Sequence, residues 1–202
     1  MQIWKNFLMF ISIMMLLFFM ANKTFAAAPD ISAGSTQFDP FNMCYILRDN
    51  VKVVHQGRTI TANRAVAKIT SQKVWASGKV TLIQEGLTFK CDKVFVKGLE
   101  RIAEIIGNLE FVQDGAIKIT ADVGTFSWSS KEADFYGNVK INIDKSSKVE
   151  LDNKLNVKKK KINGIYAHVK YDVINNKIIA LDKKFDSIPK AEFSEPDPIE
   201  SK

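Results

Sequence analysis

The sequence lacks the residue groupings that catalysis and metal binding require. Its 202 residues include two cysteines and two histidines, and His55 and His168 are isolated from each other. No nucleophile–base pair, phosphate-binding loop or Cys/His ligand spacing is present. We therefore predict a non-enzymatic protein without a cofactor or a bound metal.

The excess of positive charge is modest and has no aromatic pattern to accompany it. Lysine and arginine together number 29 against 22 aspartates and glutamates, which gives a formal net charge of +7. This balance suits a partner that carries phosphates or an acidic surface. Grooves that bind single-stranded nucleic acid interleave basic and aromatic residues. Because that interleaving is missing, we predict no nucleic-acid partner.

Residues 1–26 have the pattern of an export signal. A weakly basic start is followed by an apolar run of 15 residues, 7–21, and then by small residues around Ala26. Such a pattern predicts a secretory signal peptide, cleaved after Ala26, and an exported protein. Removing 26 residues leaves 176, and the loss of Lys5 and Lys23 lowers the net charge to +5. The alternative is an uncleaved membrane anchor, for which 15 residues are short of the usual span of about 20.

From residue 49 onward the chain repeats itself about every 30 residues. The second residues of five Gly-Asn-Val-Lys-type segments are spaced by 29, 29, 30 and 30, and a series of Asn and Asp keeps the same phase. Self-similarity at a fixed period indicates a repeat architecture in which each unit packs on the next. The first series is Asn50, Lys79, Asn108, Asn138 and His168, and the second is Asn63, Asp92, Asp122, Asp152 and Asp182.

Each repeat contains two stretches in which apolar and polar residues alternate. For example, Val139 and Ile141 alternate with Lys140 and Asn142. Period-two alternation of this kind is a strand signature, and no segment after residue 27 has a helical period. We therefore predict an all-β protein made of V-shaped turns of antiparallel strand, stacked along an axis with a repeat of about 30 residues.

The Asn and Asp series also predicts where the strands bend. In one repeat the inward residues are odd-numbered up to Cys91 and even-numbered from Val94. A strand that changes parity but keeps one face inward must contain an extra residue, so we predict a bulge or bend at Asn63, Asp92 and Asp122. Asn and Asp suit such corners because they bond nearby backbone amides. A stacked calcium ladder would need Gly-rich nonapeptides, which are missing.

These patterns set the boundaries of the predicted domain. Residues 27–40 are small and polar and indicate a flexible lead-in. The β-domain covers residues 41–182. Residues 183–202, which are rich in Pro, Glu, Ser and Lys, are predicted to form a disordered tail.

Two interpretations of the cysteines stay open. An exported protein permits a disulfide between Cys44 and Cys91. Cys91, however, occupies the repeat position that Ala62 and Ala121 hold in neighbouring copies. That position favours a small buried side chain.

Two short motifs recur in phase over residues 49–182 and carry a family resemblance. They are the Gly-Asn-Val-Lys-type turns at 78–81, 107–110 and 137–140 and the Ala/Cys-Asp pairs at 91–92 and 121–122. This pattern resembles the LptA/OstA family of periplasmic lipopolysaccharide-transport proteins, which includes LptA, LptC and the N-terminal domain of LptD. The resemblance implies a rolled β-jellyroll with an apolar interior for lipid A acyl chains.

The same resemblance implies the partners. Subunits of this family join head to tail through open sheet edges and bridge an inner-membrane ABC exporter with an LptC-like component to an outer-membrane LptD-like protein. The apolar run at residues 7–21 leaves open that this chain is the anchored, LptC-like component.

The inward-facing residues are the predicted lipid-binding lining. Burial of each CH2 group is worth about 0.8 kcal/mol, so a carrier must offer a continuous apolar surface. The same side chains would also fill an ordinary closed β-core. The predicted lining consists of Val51, Val53, Ile60, Val80, Leu82, Phe89, Leu109, Phe111, Ile117, Ile119, Phe126, Trp128, Val139, Ile141 and Val169.

Other parts of the sequence leave alternatives. Exposed edges at the two ends of the stack invite strand addition, unless the lead-in and tail cover them. The lysines at 158–161 either meet lipid phosphates or form a solvated turn.

A small secreted β-helix enzyme acting on polysaccharide would need a carboxylate cluster on one outer face. An adhesin or scaffold could use the same repeats.

Overall fold

The computed structural model describes residues 30–55, 57–68, 70–114, 116–144, 147–153, 155, 162 and 164–184. Every regular element in these ranges is a strand, which confirms the predicted all-β class. The same ranges hold no helix that could cross a membrane. The predicted signal peptide, the lysines at 158–161 and the tail beyond Lys184 lie outside the described residues.

The described residues form twelve strands in a single sheet. From β3 to β9 each strand pairs with the next in antiparallel fashion, β11 follows β9, and β12 follows β11. The strands are β1 (Asp30–Ser32), β2 (Ser35–Asp39), β3 (Cys44–His55), β4 (Arg58–Lys68), β5 (Lys73–Gln84), β6 (Leu87–Lys97), β7 (Ile102–Gln113), β8 (Ile117–Ser127), β9 (Glu132–Ile143), β10 (Glu150–Leu151), β11 (Ile165–Asp172) and β12 (Lys177–Asp182).

The long strands share a corner near their middle. In the β6–β7 ladder Lys90 pairs with Glu110 and Lys93 with Ile106, so β7 crosses the corner with one residue more than β6. Similar shifts recur in every ladder from β3–β4 to β8–β9. In β7 the corner residues Gly107 and Asn108 have φ angles of 77° and 46°. Gly and Asn adopt this left-handed region more readily than other residues, which explains why the Gly-Asn pair recurs.

The predicted extra residue therefore lies at the expected corner, but it belongs to the strand that pairs with the one that contains the Asp. Asn108 Nδ2 donates to Asp92 Oδ2 at 2.8 Å, and Asn138 Nδ2 donates to Asp122 Oδ2 at 2.8 Å. The aspartates of β6 and β8 thus hold the bulged Asn of the neighbouring strand, and a β-carbon on Gly107 would collide with Asp92. The parity of one strand cannot show which of two paired strands carries the extra residue.

The corners divide the sheet into two arms that face each other. The rings of Phe89 and Phe126 lie 5.4 Å apart, and those of Phe111 and Phe135 also lie 5.4 Å apart, each pair joining one arm to the other. This bent sheet confirms the predicted β-jellyroll class. We define the first arm as residues 44–48, 64–68, 73–77, 93–97, 102–106, 123–127, 132–136 and 168–172, and the second arm as residues 51–55, 58–62, 80–84, 87–91, 109–113, 117–121 and 139–143.

Residues 30–39 correct the predicted flexible lead-in. β2 pairs with Cys44–Arg48 in the first arm, and β1 pairs with Lys52–Val54 in the second. Between them Gly34 N donates to Asp49 O at 2.7 Å across the corner. Without these strands β3 would present a full row of unpaired backbone groups, so the segment covers that edge.

Of the two interpretations of the cysteines, the structure supports the small buried side chain and not the disulfide. Cys44 and Cys91 are both free and buried. Cys91 belongs to the interior cluster, whereas Cys44 belongs to a separate cluster. Burial raises the pKa of the Cys91 thiol to about 12, as expected for a small apolar side chain in a core.

Candidate functional site

All fifteen predicted lining residues lie in or against one apolar cluster between the arms. Thirteen of them are buried in the cluster, and Val53 and Ile60 are half-buried and pack against it. The alternation along the strands was therefore sufficient to find the interior. It could not show which parts of the interior are closed.

The C-terminal part of the interior is filled by aromatic side chains. The ring of Phe111 lies 4.8 Å from Phe89, 5.4 Å from Phe135 and 5.7 Å from Tyr171. Tyr171 is fully buried, and its hydroxyl donates to Asn176 Oδ1 at 3.2 Å. Burial raises the pKa of this hydroxyl well above its ordinary value. These contacts fill this part of the interior with aromatic rings.

Hydrogen bonds join the free ends of the two arms along one margin. Gln84 ends β5 in the second arm, and its Oε1 accepts from Trp128 Nε1 at 2.9 Å and from Arg58 Nε at 3.1 Å. Trp128 follows β8 in the first arm. The Arg58 guanidinium also lies over the Trp128 ring, 5.1 Å from its centre. We call this margin the seam.

A second glutamine extends the seam. Gln113 ends β7, and its Nε2 donates to Val173 O at 3.1 Å and to Asn176 Oδ1 at 2.7 Å. Sequence reasoning missed both glutamines. The available signal was their spacing of 29 residues, one full repeat.

Three apolar side chains on the inward face of the N-terminal strands are exposed to solvent. Ile31, Phe38 and Tyr45 have 41%, 44% and 36% of their surface exposed. Tyr45 points inward because it lies two residues before the interior Leu47, and Phe38 pairs with it at a ring distance of 4.9 Å. Ile31 pairs with the half-buried Val53. We call Ile31, Phe38 and Tyr45 the mouth.

Sequence reasoning missed the mouth as well. Ile31 and Phe38 fall in the stretch that was interpreted as a lead-in. Apolar surface that stays exposed and contiguous with a core marks a binding site more often than an isolated exposed residue does. The mouth is therefore the exposed apolar part of the inward face.

An acidic clamp around His168 lies on the outer face near the C-terminal edge. His168 Nδ1 lies 2.8 Å from Asp182 Oδ2, and its Nε2 lies 2.9 Å from Asp134 Oδ1. Burial lowers the pKa of His168, but the two carboxylates outweigh it, so the pKa is raised above 6.5. The ring also stacks on Tyr136 at 4.7 Å. Sequence reasoning placed His168 at a corner and missed the clamp.

A further acidic group of this face, Glu132, is also ion-paired. Lys170 Nζ lies 2.9 Å from Glu132 and 4.0 Å from Asp134. No three His, Cys, Asp or Glu side chains are grouped as metal ligands in the part of the chain that the structure describes. The carboxylates thus hold β9, β11 and β12 together.

Comparisons with known proteins agree with this architecture. The chain matches a crystal structure of LptH, the LptA-homologous periplasmic component of the conserved lipopolysaccharide transport device from Pseudomonas aeruginosa. The TM-score is 0.55 and the identity 12%, and the match covers 58% of this chain and 95% of LptH. The fold is LptA-like. No protein-family model and no curated protein matches the sequence.

The LptA-like sheet has two different edges. At the N-terminal edge, β1 and β2 line β3 in both arms. At the other edge, β10 pairs with only Lys177 and Ile178 of β12. Among the described strands, none pairs with the outer side of residues 179–182.

Proposed function

We propose that this protein is a non-enzymatic periplasmic carrier that shelters the acyl chains of lipopolysaccharide inside its bent sheet. The observation that carries the proposal is the single apolar cluster between the two arms, which contains or packs against every predicted lining residue. Exposed apolar side chains lie on the same inward face at the N-terminal edge. The fold similarity to LptH supports it.

The energetics of acyl chains explain why a mouth is needed. Moving about ten CH2 groups out of water is worth about 8 kcal/mol, so a chain enters wherever apolar surface is already accessible. Ile31, Phe38 and Tyr45 offer that first contact. Deeper positions such as Val53 and Ile60 are half-buried and follow next along the lining. The aromatic end then limits how far a chain penetrates.

The two unlike edges support a bridging role. An edge with unpaired backbone groups accepts another strand, and among the described strands residues 179–182 form such an edge. In this proposal that edge pairs with the β1/β2 edge of a second copy or of a related domain. The head-to-tail array would link an inner-membrane ABC exporter, through an LptC-like component, to an outer-membrane LptD-like protein.

Site-specific photo-crosslinking in lipopolysaccharide-producing cells tests the carrier role. A benzophenone amino acid at Tyr45 or Phe38 is expected to label lipopolysaccharide, and one at Phe111 is expected to label it less because that site is closed. Ile83 provides the control, because it is 48% exposed and alternates with the interior Leu82. Absence of label at Tyr45, Phe38 and Phe111, or equal label at Ile83, would overturn the proposal.

The first residue of the protein in cells distinguishes a soluble bridge from an anchored component. We expect the mature chain to begin at Ala27. An intact Met1 in the membrane fraction would instead assign the chain to the anchored, LptC-like position in the same system.

A further inference from the structure

A second apolar cluster lies on the outer face of the first arm. Ile46, Val66, Trp75 and Phe95 occupy one row across β3 to β6. The rings of Trp75 and Phe95 are stacked with their centres 4.9 Å apart. The chain neighbours of these residues on the same strands include interior core residues, so this row points the other way. We call these four residues the outer strip.

The outer strip is buried within the single chain, although the two arms pack together on the opposite face of the sheet. Its four side chains are only 2–6% exposed. Trp75 Nε1 is buried and has no acceptor. A buried indole N–H normally finds a partner, so Trp75 Nε1 is available to a segment that brings an oxygen acceptor.

Basic residues flank the outer strip on both sides. The Nζ atoms of Lys73 and Lys97 lie 5.8 Å and 5.3 Å from the centre of the Phe95 ring, and Lys97 also pairs with Glu104 at 2.7 Å. The residues that share this face with the strip are Arg48, Arg64 and Lys93 on the corner side and Lys68, Lys73 and Lys97 on the hairpin side. An apolar row between two basic rows fits an extended segment that carries both apolar and acidic side chains.

The chain supplies such a segment after its last strand. Residues 185–202 contain five acidic residues, two lysines and the apolar Phe185, Ile188, Phe193 and Ile199. The strand before them ends at Asp182, whose side chain contacts His168 on this same outer face. The path back from β12 to β6 crosses five strand spacings, about 24 Å, and 18 extended residues reach about 60 Å.

We propose that residues 185–202 fold back over the outer strip, with their apolar side chains on Trp75 and Phe95 and their carboxylates on the flanking lysines and arginines. The other terminal segment outside the described residues, residues 1–29, fits the strip less well. Its charged groups within residues 1–26 are lysines, and it is predicted to be removed. The docked segment keeps an aromatic surface from solvent and is independent of lipid binding inside the sheet.

Photo-crosslinking within the intact mature protein is the first test. A benzophenone amino acid at Phe193 is expected to react within the same molecule, with peptides that contain Trp75 or Phe95. Cross-links mainly to a second molecule would assign the strip to an interface between copies. Cross-links scattered over the surface, or none to the strip, would overturn the proposal.

Tryptophan quenching gives an independent measurement, because the mature chain has only Trp75 and Trp128. In a Trp128→Phe background, removal of residues 185–202 is expected to increase the acrylamide quenching of Trp75 severalfold, and a synthetic 185–202 peptide should reverse it. In the matched Trp75→Phe background, the same removal should leave interior Trp128 unchanged. If Trp75 stays equally shielded without the segment, the proposal is wrong.

A charge variant distinguishes the ionic contacts of the segment from its apolar contacts. Conversion of the five acidic residues of the segment to their amides should raise Trp75 quenching at low salt without unfolding the sheet. If the truncated protein fails to fold, Trp128 will be quenched too, and the Phe193 cross-links in the full chain then decide the question.

Discussion

The two ends of the first arm distribute their large side chains differently between the two faces. Near the N-terminus, Ala65 and Ala76 face the interior, while Trp75 and Phe95 lie on the outside. Toward the C-terminus, Phe126 faces the interior, and Glu104 and Asp134 lie on the outside. The repeat therefore sets the path of the backbone, whereas side-chain size decides which end of the interior is filled and which face is apolar.

The largest expected loss of stability comes from a substitution in the aromatic, C-terminal part of the interior. Phe111→Ala removes a fully buried ring that contacts Phe89, Phe135 and Tyr171. Such truncations cost about 3–5 kcal/mol, and urea denaturation should show this loss in the free energy of unfolding. Tyr45→Ala at the mouth is the matched control. It should cost less than about 1 kcal/mol, because surface substitutions usually cost little.

Equal losses of unfolding free energy for Phe111→Ala and Tyr45→Ala would contradict the difference between the two ends. That result would mean that the mouth packs as tightly as the aromatic end. The interior would then be an ordinary closed core along its whole length.

Glycines with positive φ should respond more weakly than the aromatic core, and a corner glycine more strongly than a hairpin glycine. Gly107→Ala at the corner of β7 forces a side chain into the left-handed region and against Asp92. Gly57→Ala in the turn between β3 and β4, with φ of 73°, meets no atom within 4 Å. The left-handed conformation alone costs an ordinary residue about 1–2 kcal/mol. We expect that loss at Gly57 and a larger one at Gly107, measured by urea denaturation. Equal losses would mean that Asp92 moves aside at no cost.

These corners show how far the sequence determines the fold. Period and alternation located the strands, the corner layer and every predicted lining residue, because each depends on a local rule of backbone geometry. The pattern of one strand could not show which strand carries the extra residue, since a bulge is defined only between two paired strands. Ile31, Phe38 and the seam glutamines were missed because their roles depend on contacts far apart in sequence.

The hydrogen bonds of the seam should contribute less to the free energy of unfolding than the corners do. Gln113→Leu removes the hydrogen bonds to Val173 O and Asn176 Oδ1. Because each net hydrogen bond is worth about 0.5–1.5 kcal/mol, and Gln113 Oε1 is itself buried without a donor, we expect a loss of about 1 kcal/mol. Hydrogen exchange should accelerate at the 173–176 turn and stay unchanged in β1 and β2. Acceleration at both ends would show that the seam and the mouth open together.

The smallest effect concerns pH and the clamp at the C-terminal edge. His168 is held by Asp134 and Asp182, it stacks on Tyr136, and Lys170 pairs with Glu132 beside it. Since the folded pKa of His168 is raised above 6.5, the protonated clamp stabilises the fold fully below that value. Its contribution is lost as the pH rises through the folded pKa.

Denaturation between pH 6 and 8 measures this contribution, which we expect to be on the order of 1 kcal/mol because Asp182 is half-exposed and such pairs are screened by solvent. His168→Asn, which restores the residue found at the equivalent position 138, is the matched variant. It should remove the pH dependence and leave stability at pH 8 nearly unchanged. If the variant keeps the same slope, another group carries the titration and His168 does not fasten the edge strand.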